Sequence, residues 1–157
     1  MSSLSCFVKL DHMKKFTSQT QKFGCLGEQI ACDYLKNKGF TVIEQNYTKK
    51  IGELDIVASK NSILHFVEVK TLVKDSVPRE TPENNHNKSV SREMYNKYSP
   101  FENVTRAKFR KFSRTCEWYI QERHVSHETK WQIDAIAVTV TRETRSAKVE
   151  VLWNVII

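Results

Sequence analysis

Glycine and proline are scarce, with only four and three in 157 residues, and no stretch of 18 or more apolar residues occurs. The first scarcity excludes collagenous and low-complexity architectures. The second leaves no candidate transmembrane helix. The four cysteines, Cys6, Cys25, Cys32 and Cys116, include no Cys-x-x-Cys pair, which argues against a structural zinc site. Met1 to Lys15 lacks the apolar core of a secretory signal, so the thiols are expected to be reduced and the protein soluble and cytoplasmic, with no membrane partner. Cys25 and Cys32, two helical turns apart, are expected on one helix face as small buried apolar residues. Internal repeats are also absent.

What is present is charge of one sign in excess. Lys and Arg number 25 against 18 Asp and Glu, a net +7, so the long-range field favours polyanions such as nucleic acid. With 39% apolar residues the chain is long enough for one hydrophobic core and short for two. The reading divides it into an irregular N-terminal lead-in over residues 1–22 and a single domain over 23–157. A long loop at 75–103 is expected inside that domain, because the segment holds all three prolines and no sustained apolar periodicity.

The pattern along the domain is α/β. Leu26, Ile30, Tyr34 and Leu35, with small Gly27 and Ala31, follow helical spacing from Phe23 to Lys38, and Gly39 supplies the stop. Phe40 to Tyr47 reads as a strand. Leu54 to Ala58 and Ile63 to Val69 read as an antiparallel hairpin turning at residues 59–62, and the second run is apolar on both faces, as a central strand requires. Thr105 can cap a second helix reaching His124, whose Phe109, Phe112, Cys116, Tyr119 and Ile120 form one stripe. Arg106, Lys108, Arg110, Lys111 and Arg114 crowd its first half as a candidate nucleic-acid-binding surface. Trp131 to Val140 and Val149 to Ile157 close the chain as strands, with a turn around 144–147.

Residues two apart in a strand share a face, so Glu53 and Asp55 project together, as do Glu68 and Lys70. A hairpin centred between Lys60 and Asn61 sets Glu68 opposite Glu53, with Asp55 its diagonal neighbour about 7–8 Å away. Three carboxylates beside apolar strands repel one another, and Lys70 offsets one charge only. A hard divalent cation, Mg²⁺ or Mn²⁺, is the natural remaining partner, held by Asp55, Glu68 and a main-chain carbonyl, that of Val69. Asp55, Glu68 and Lys70 are then the candidate catalytic residues. The cation lowers the pKa of a bound water, and the lysine orients that water or stabilises a phosphoryl transition state. The competing reading is a solvated salt-bridge ladder at a sheet edge. It fits less well at the end of a strand that is apolar on both sides.

The segments Gly27-Glu28-Gln29-Ile30-Ala31, Gly52-Glu53-Leu54-Asp55-Ile56-Val57-Ala58 and Phe66-Val67-Glu68-Val69-Lys70-Thr71 together resemble the YraN family, whose members are related to PD-(D/E)xK endonucleases and Holliday junction resolvases. The resemblance implies a restriction-endonuclease-like fold with a central mixed sheet of about five strands flanked by helices. It implies Asp55 and Glu68 as metal ligands, Lys70 as the catalytic lysine and Glu28 as a further ligand. Glu53 is implied either as a ligand or as a residue supporting one, and Lys108 as a phosphate or site contact. Leu72 and Gln132 stand where the family often has basic residues. Asp134 follows the family pattern, with a structural role favoured over a second metal site. His124 and His127 are read as surface histidines, and Trp118, Trp131 and Trp153 either as core or as base-stacking groups.

The function these readings support is a metal-dependent endonuclease hydrolysing DNA phosphodiester bonds, with branched or structured DNA a candidate substrate. The alternative is a nucleic-acid-binding protein that uses a nuclease-like fold without hydrolysis. RNA as substrate and a homodimer as assembly are left open.

Overall fold

The computed structural model describes residues 6–9, 19–74 and 106–155. In chain order these form β1 (Cys6–Lys9), α1 (Gln19–Asn37), β2 (Thr41–Lys49), β3 (Gly52–Lys60), β4 (Ile63–Lys74), α2 (Arg106–Glu122), β5 (Lys130–Thr141) and β6 (Ser146–Leu152). The strands make one mixed sheet in the order β1-β6-β5-β4-β3-β2. Among the described residues only β4 and β5 run parallel, and the connection between them contains α2.

This is the α/β, restriction-endonuclease-like arrangement, with β2 to β6 as the main sheet. β1 adds a sixth strand at the edge through pairing with β6, and α1 begins at Gln19, so the lead-in is not wholly irregular. The last strand starts three residues earlier than its apolar run suggested, at Ser146, directly after Arg145 with φ 47°. The long loop at 75–103 and the Thr105 cap lie outside the described residues.

The two helices cover opposite faces of the sheet. Ile30, Ala31, Tyr34 and Leu35 of α1 pack with Ile56, Ala58, Val67, Ile136 and Val138. Cys116 and Tyr119 of α2, flanked by Phe109, Phe112 and Ile120, pack with Tyr47, Val57, Leu64, Phe66 and Ile133. Neighbouring Phe66 and Val67 thus serve opposite cores, which confirms β4 as a strand buried on both sides. Gly39 adopts φ 80° and ends α1, with the Gly39 and Phe40 N–H groups donating to the Lys36 and Leu35 carbonyls. Cys32 is buried but Cys25, near the start of α1, is exposed, so the two do not share a core.

α2 is pinned to the β2 edge by ion pairs. Arg123 meets Glu44 at 2.7 Å, Lys49 meets Glu122 at 2.6 Å, and the Tyr47 hydroxyl donates to Glu122 at 2.6 Å. Individually such exposed pairs stabilise little. Together they hold the C-terminal end of α2, and Arg123 just past it, against β2.

Candidate active site

The β3–β4 hairpin turns at Asn61 and Ser62, both with positive φ (49° and 61°), as a two-residue type I′ turn needs. Lys60 therefore pairs with Ile63, and the ladder runs outward to its last pair, Ile56 with Val67. The hairpin centre lies one residue later than the sequence reading set it, which moves the register by two. Asp55, rather than Glu53, comes next to Glu68 where the ladder ends. There the Asp55 carboxylate replaces the strand partner, accepting a hydrogen bond from the Val69 N–H at 2.7 Å. β4 is held from its other side by β5 all the way to Lys74, so Glu68 and Lys70 stay extended after β3 has parted from them.

Alternation also lapses in β3. Leu54 and Val57 belong to the α2-side core while Ile56 belongs to the α1 side, and Asn46 on the neighbouring strand has φ 55°. Glu53 and Asp55 nevertheless line the same cleft, with Glu68 and Lys70.

Two glycines draw the helices in. A Cβ on Gly27 of α1 would collide with Thr71 of β4, and one on Gly52 of β3 would collide with Thr115 of α2. Both are backbone approaches that any larger residue would block. Glu28, next to Gly27, comes within reach of the charge of Asp55 but does not line the cleft, whereas Lys108 and Lys111 of α2 do.

The cleft encloses about 560 Å³. Asp55, Glu68, Glu53 and Lys70 lie along it, with Lys108 and Lys111 from α2 and Lys49 and Lys50 from the end of β2. Phe109, Phe112, Ile133 and Val155 supply apolar walls. Of the basic residues read from the α2 sequence, Lys108 and Lys111 reach the cleft. Arg106, Arg110 and Arg114 are exposed on the helix and do not line it. Lys49 and Lys50 escaped the sequence reading, and their only signal was adjacency to the Gly52-Glu53 segment.

Burial dominates the electrostatics. It raises Glu68 to about 7, with the charge of Asp55 pushing the same way and Lys70 and Lys108 opposing. Asp55 is raised by burial and by Glu53, against the Val69 hydrogen bond and Lys70. Glu28 is raised by burial and by Asp55, while a hydrogen bond with Asn46 lowers it. The carboxylates thus crowd one another and the local lysines compensate in part.

Asp134 behaves differently. It borders the cleft, but its carboxylate is fully buried: Oδ2 lies 2.6 Å from His65 Nδ1, and Oδ1 accepts from Gln132 Nε2 at 2.6 Å and the Asn154 N–H at 2.8 Å. Both oxygens are engaged in holding β5 to β4 and to the segment at Asn154, the structural part that the sequence favours for this residue. His65 in turn lies edge-on to Phe40, and Trp153 stacks on Phe40 at 5.4 Å. Trp118, Trp131 and Trp153 are all roughly half-exposed, so none is a core residue. His124 and His127 are exposed, as expected.

The donor chemistry suits a hard cation. Mg²⁺ is commonly held by one or two carboxylates, with waters and substrate oxygens completing its shell. Asp55 and Glu68 supply two such donors, crowded and short of positive charge. Among the described residues no three His, Cys, Asp or Glu side chains are grouped closely enough to hold an ion by themselves.

A mixed sheet with helices on both faces, opening at one end onto two carboxylates and a lysine, defines the restriction-endonuclease-like class of α/β proteins. The pattern of the Uncharacterised protein family UPF0102 matches residues 27–138. A UPF0102 protein of Campylobacter lari is 37% identical over 116 residues, covering 74% of this chain and 82% of that protein. A UPF0102 protein of Clostridium botulinum is 30% identical over 131 residues, covering 83% of this chain and 90% of that one. The chain belongs to the UPF0102 family, the YraN family that its motifs resemble. No helix among the described residues is long and apolar enough to cross a membrane.

Proposed function

We propose that this protein is a Mg²⁺- or Mn²⁺-dependent endonuclease that hydrolyses DNA phosphodiester bonds. The observation that carries the reading is the cleft itself: Asp55 and Glu68 meet where β3 and β4 part, with Lys70 beside them and further lysines at the rim. Burial that raises Glu68 to about 7 even with Lys70 and Lys108 nearby favours this reading over a solvated salt-bridge ladder, which would keep its carboxylates in water. Carboxylates are kept in so costly a setting where function uses them.

Asp55 and Glu68 would hold the cation, and the chemistry it would supply there is a lowered pKa for a bound water and an offset to charge on the scissile phosphate. The chain's own residues do the rest. The Val69 N–H fixes the Asp55 carboxylate at 2.7 Å, so one oxygen is oriented and the other is left for the ion. Lys70 shares the Glu68 face of β4 and places a positive charge where negative charge develops on the phosphoryl oxygens. Lys50, Lys108 and Lys111 attract the flanking phosphates, and salt weakens this contribution. Glu28, which the charge of Asp55 reaches, is proposed to complete the acidic set. Branched DNA is a candidate substrate on the strength of the family resemblance alone.

The test incubates purified protein with branched, single-stranded and duplex DNA in Mn²⁺, beside Asp55→Asn and Lys70→Ala. Cleavage by the wild type is expected, with a fall of about 10²- to 10³-fold in each variant, the scale of losing one electrostatic stabiliser. Equal cleavage by all three, or salt-sensitive binding with no cleavage of any substrate, would favour the non-catalytic binding reading.

A further inference from the structure

Resting on the nucleic-acid reading of the cleft, we infer that its apolar wall seats one unstacked nucleobase beside the carboxylates, so that the favoured substrate carries an unpaired nucleotide at the site. The cleft combines three surfaces that a single nucleotide matches part by part. Lysines at the rim, Lys50 from the β2–β3 turn and Lys108 and Lys111 from α2, are charge-complementary to phosphate. Asp55 and Glu68 mark where the reacting phosphate would lie. Phe109 and Phe112 stand on successive turns of α2, packed against the α2-side core yet only partly buried, and both line the cleft.

Size selects among occupants. A cleft of about 560 Å³ lies in the range of sites that hold a drug-sized ligand, ~300–1,000 Å³, room for a single nucleotide. In an intact helix the bases stay stacked, and only phosphates could touch the rim lysines. The aromatic wall would then be left facing water. An unpaired base removes that exposure at little unstacking cost, and stacking on an aromatic side chain accepts any base. The wall therefore selects for the structure of the nucleic acid rather than for its sequence.

The experiment measures binding without chemistry, by fluorescence anisotropy in EDTA. Three labelled DNAs are compared: an intact duplex, the same duplex with one bulged nucleotide, and that bulge made abasic. The bulged duplex is expected to bind about tenfold tighter than the other two. Phe112→Leu and Phe109→Leu, which keep apolar packing but remove the ring, are expected to weaken the bulged duplex about 5- to 20-fold and change the others less than twofold. Equal affinity for all three DNAs, or variants that weaken all three alike, would overturn the inference. Should either variant fail to fold, the abasic comparison on wild-type protein still decides. Because no metal is present, a lack of Mn²⁺-dependent cleavage would defeat the nuclease reading without touching this result.

Discussion

Asp134 is fully buried and uses both carboxylate oxygens in hydrogen bonds to His65, Gln132 and Asn154, whereas Asp55 and Glu68, less deeply buried, are left in a crowd of acids. The two regions are neighbours in one sheet, and Asp134 of β5 pairs with Val67, the residue before Glu68. The difference separates an acid whose two oxygens folding has tied up in hydrogen bonds from a pair that folding has buried beside one another's charge. A buried acid with every oxygen engaged fixes strands and chain ends in place. Acids pushed above their ordinary pKa oppose folding, and such sites persist where function uses them.

Removing the satisfied acid should have the larger effect on stability. Asp134→Ala leaves His65, Gln132 and the Asn154 N–H without their partner, and the expected loss is about 3 kcal/mol, read by urea denaturation, since a buried group left unsatisfied costs about 1–3 kcal/mol. A loss under about 1 kcal/mol would mean that the network contributes little to folding.

The cleft acids should respond with the opposite sign. Glu68 rises from 4.5 to about 7 on folding, so between those values the folded chain keeps a proton that the unfolded chain has released. Its contribution is fully present below pH 4.5 and is lost as the pH rises through about 7. The metal-free protein is expected to lose on the order of 1–3 kcal/mol by pH 8. Glu68→Gln should flatten that dependence and be the more stable protein at pH 8 while losing cleavage. A variant less stable than wild type at pH 8 would break the comparison.

The smallest effect tests how the site is assembled. Gly27→Ala gains helix propensity but drives a methyl group into Thr71, for a net loss of about 1 kcal/mol. Thr71→Ala in the same chain should return most of it. If Gly27→Ala instead stabilises the protein in thermal melts, the close approach of α1 to β4 is not needed.

Much of this was legible in the sequence because it rests on local periodicity. The apolar run Ile63 to Val69 announced a central strand, the Phe109-to-Ile120 stripe announced a helix face, and Gly39 announced a helix end. Asp55, Glu68 and Lys70 were legible as a group because two-residue spacing and the family motifs agree. The register was not. Asn61 and Ser62 both take left-handed conformations, and serine gives no compositional sign of doing so, so the turn was placed one residue early. The lapse in alternation around Leu54 depends on the neighbouring strand at Asn46, and the union of His65 with Asp134 depends on parallel pairing between distant segments. Strand spacing within one segment carries none of that. Glu28 came from resemblance alone, since nothing in its helix distinguishes it from a solvated charge.

The most direct test of the cleft acids as a cation site is calorimetry of Mn²⁺ binding at pH 7 in two buffers of different ionisation enthalpy. Glu68 near 7 is partly protonated there, so binding should release a fraction of a proton per ion, and both the binding and the release should vanish in Asp55→Asn and Glu68→Gln. Absence of binding to the wild type, or binding unchanged in both variants, would contradict the account.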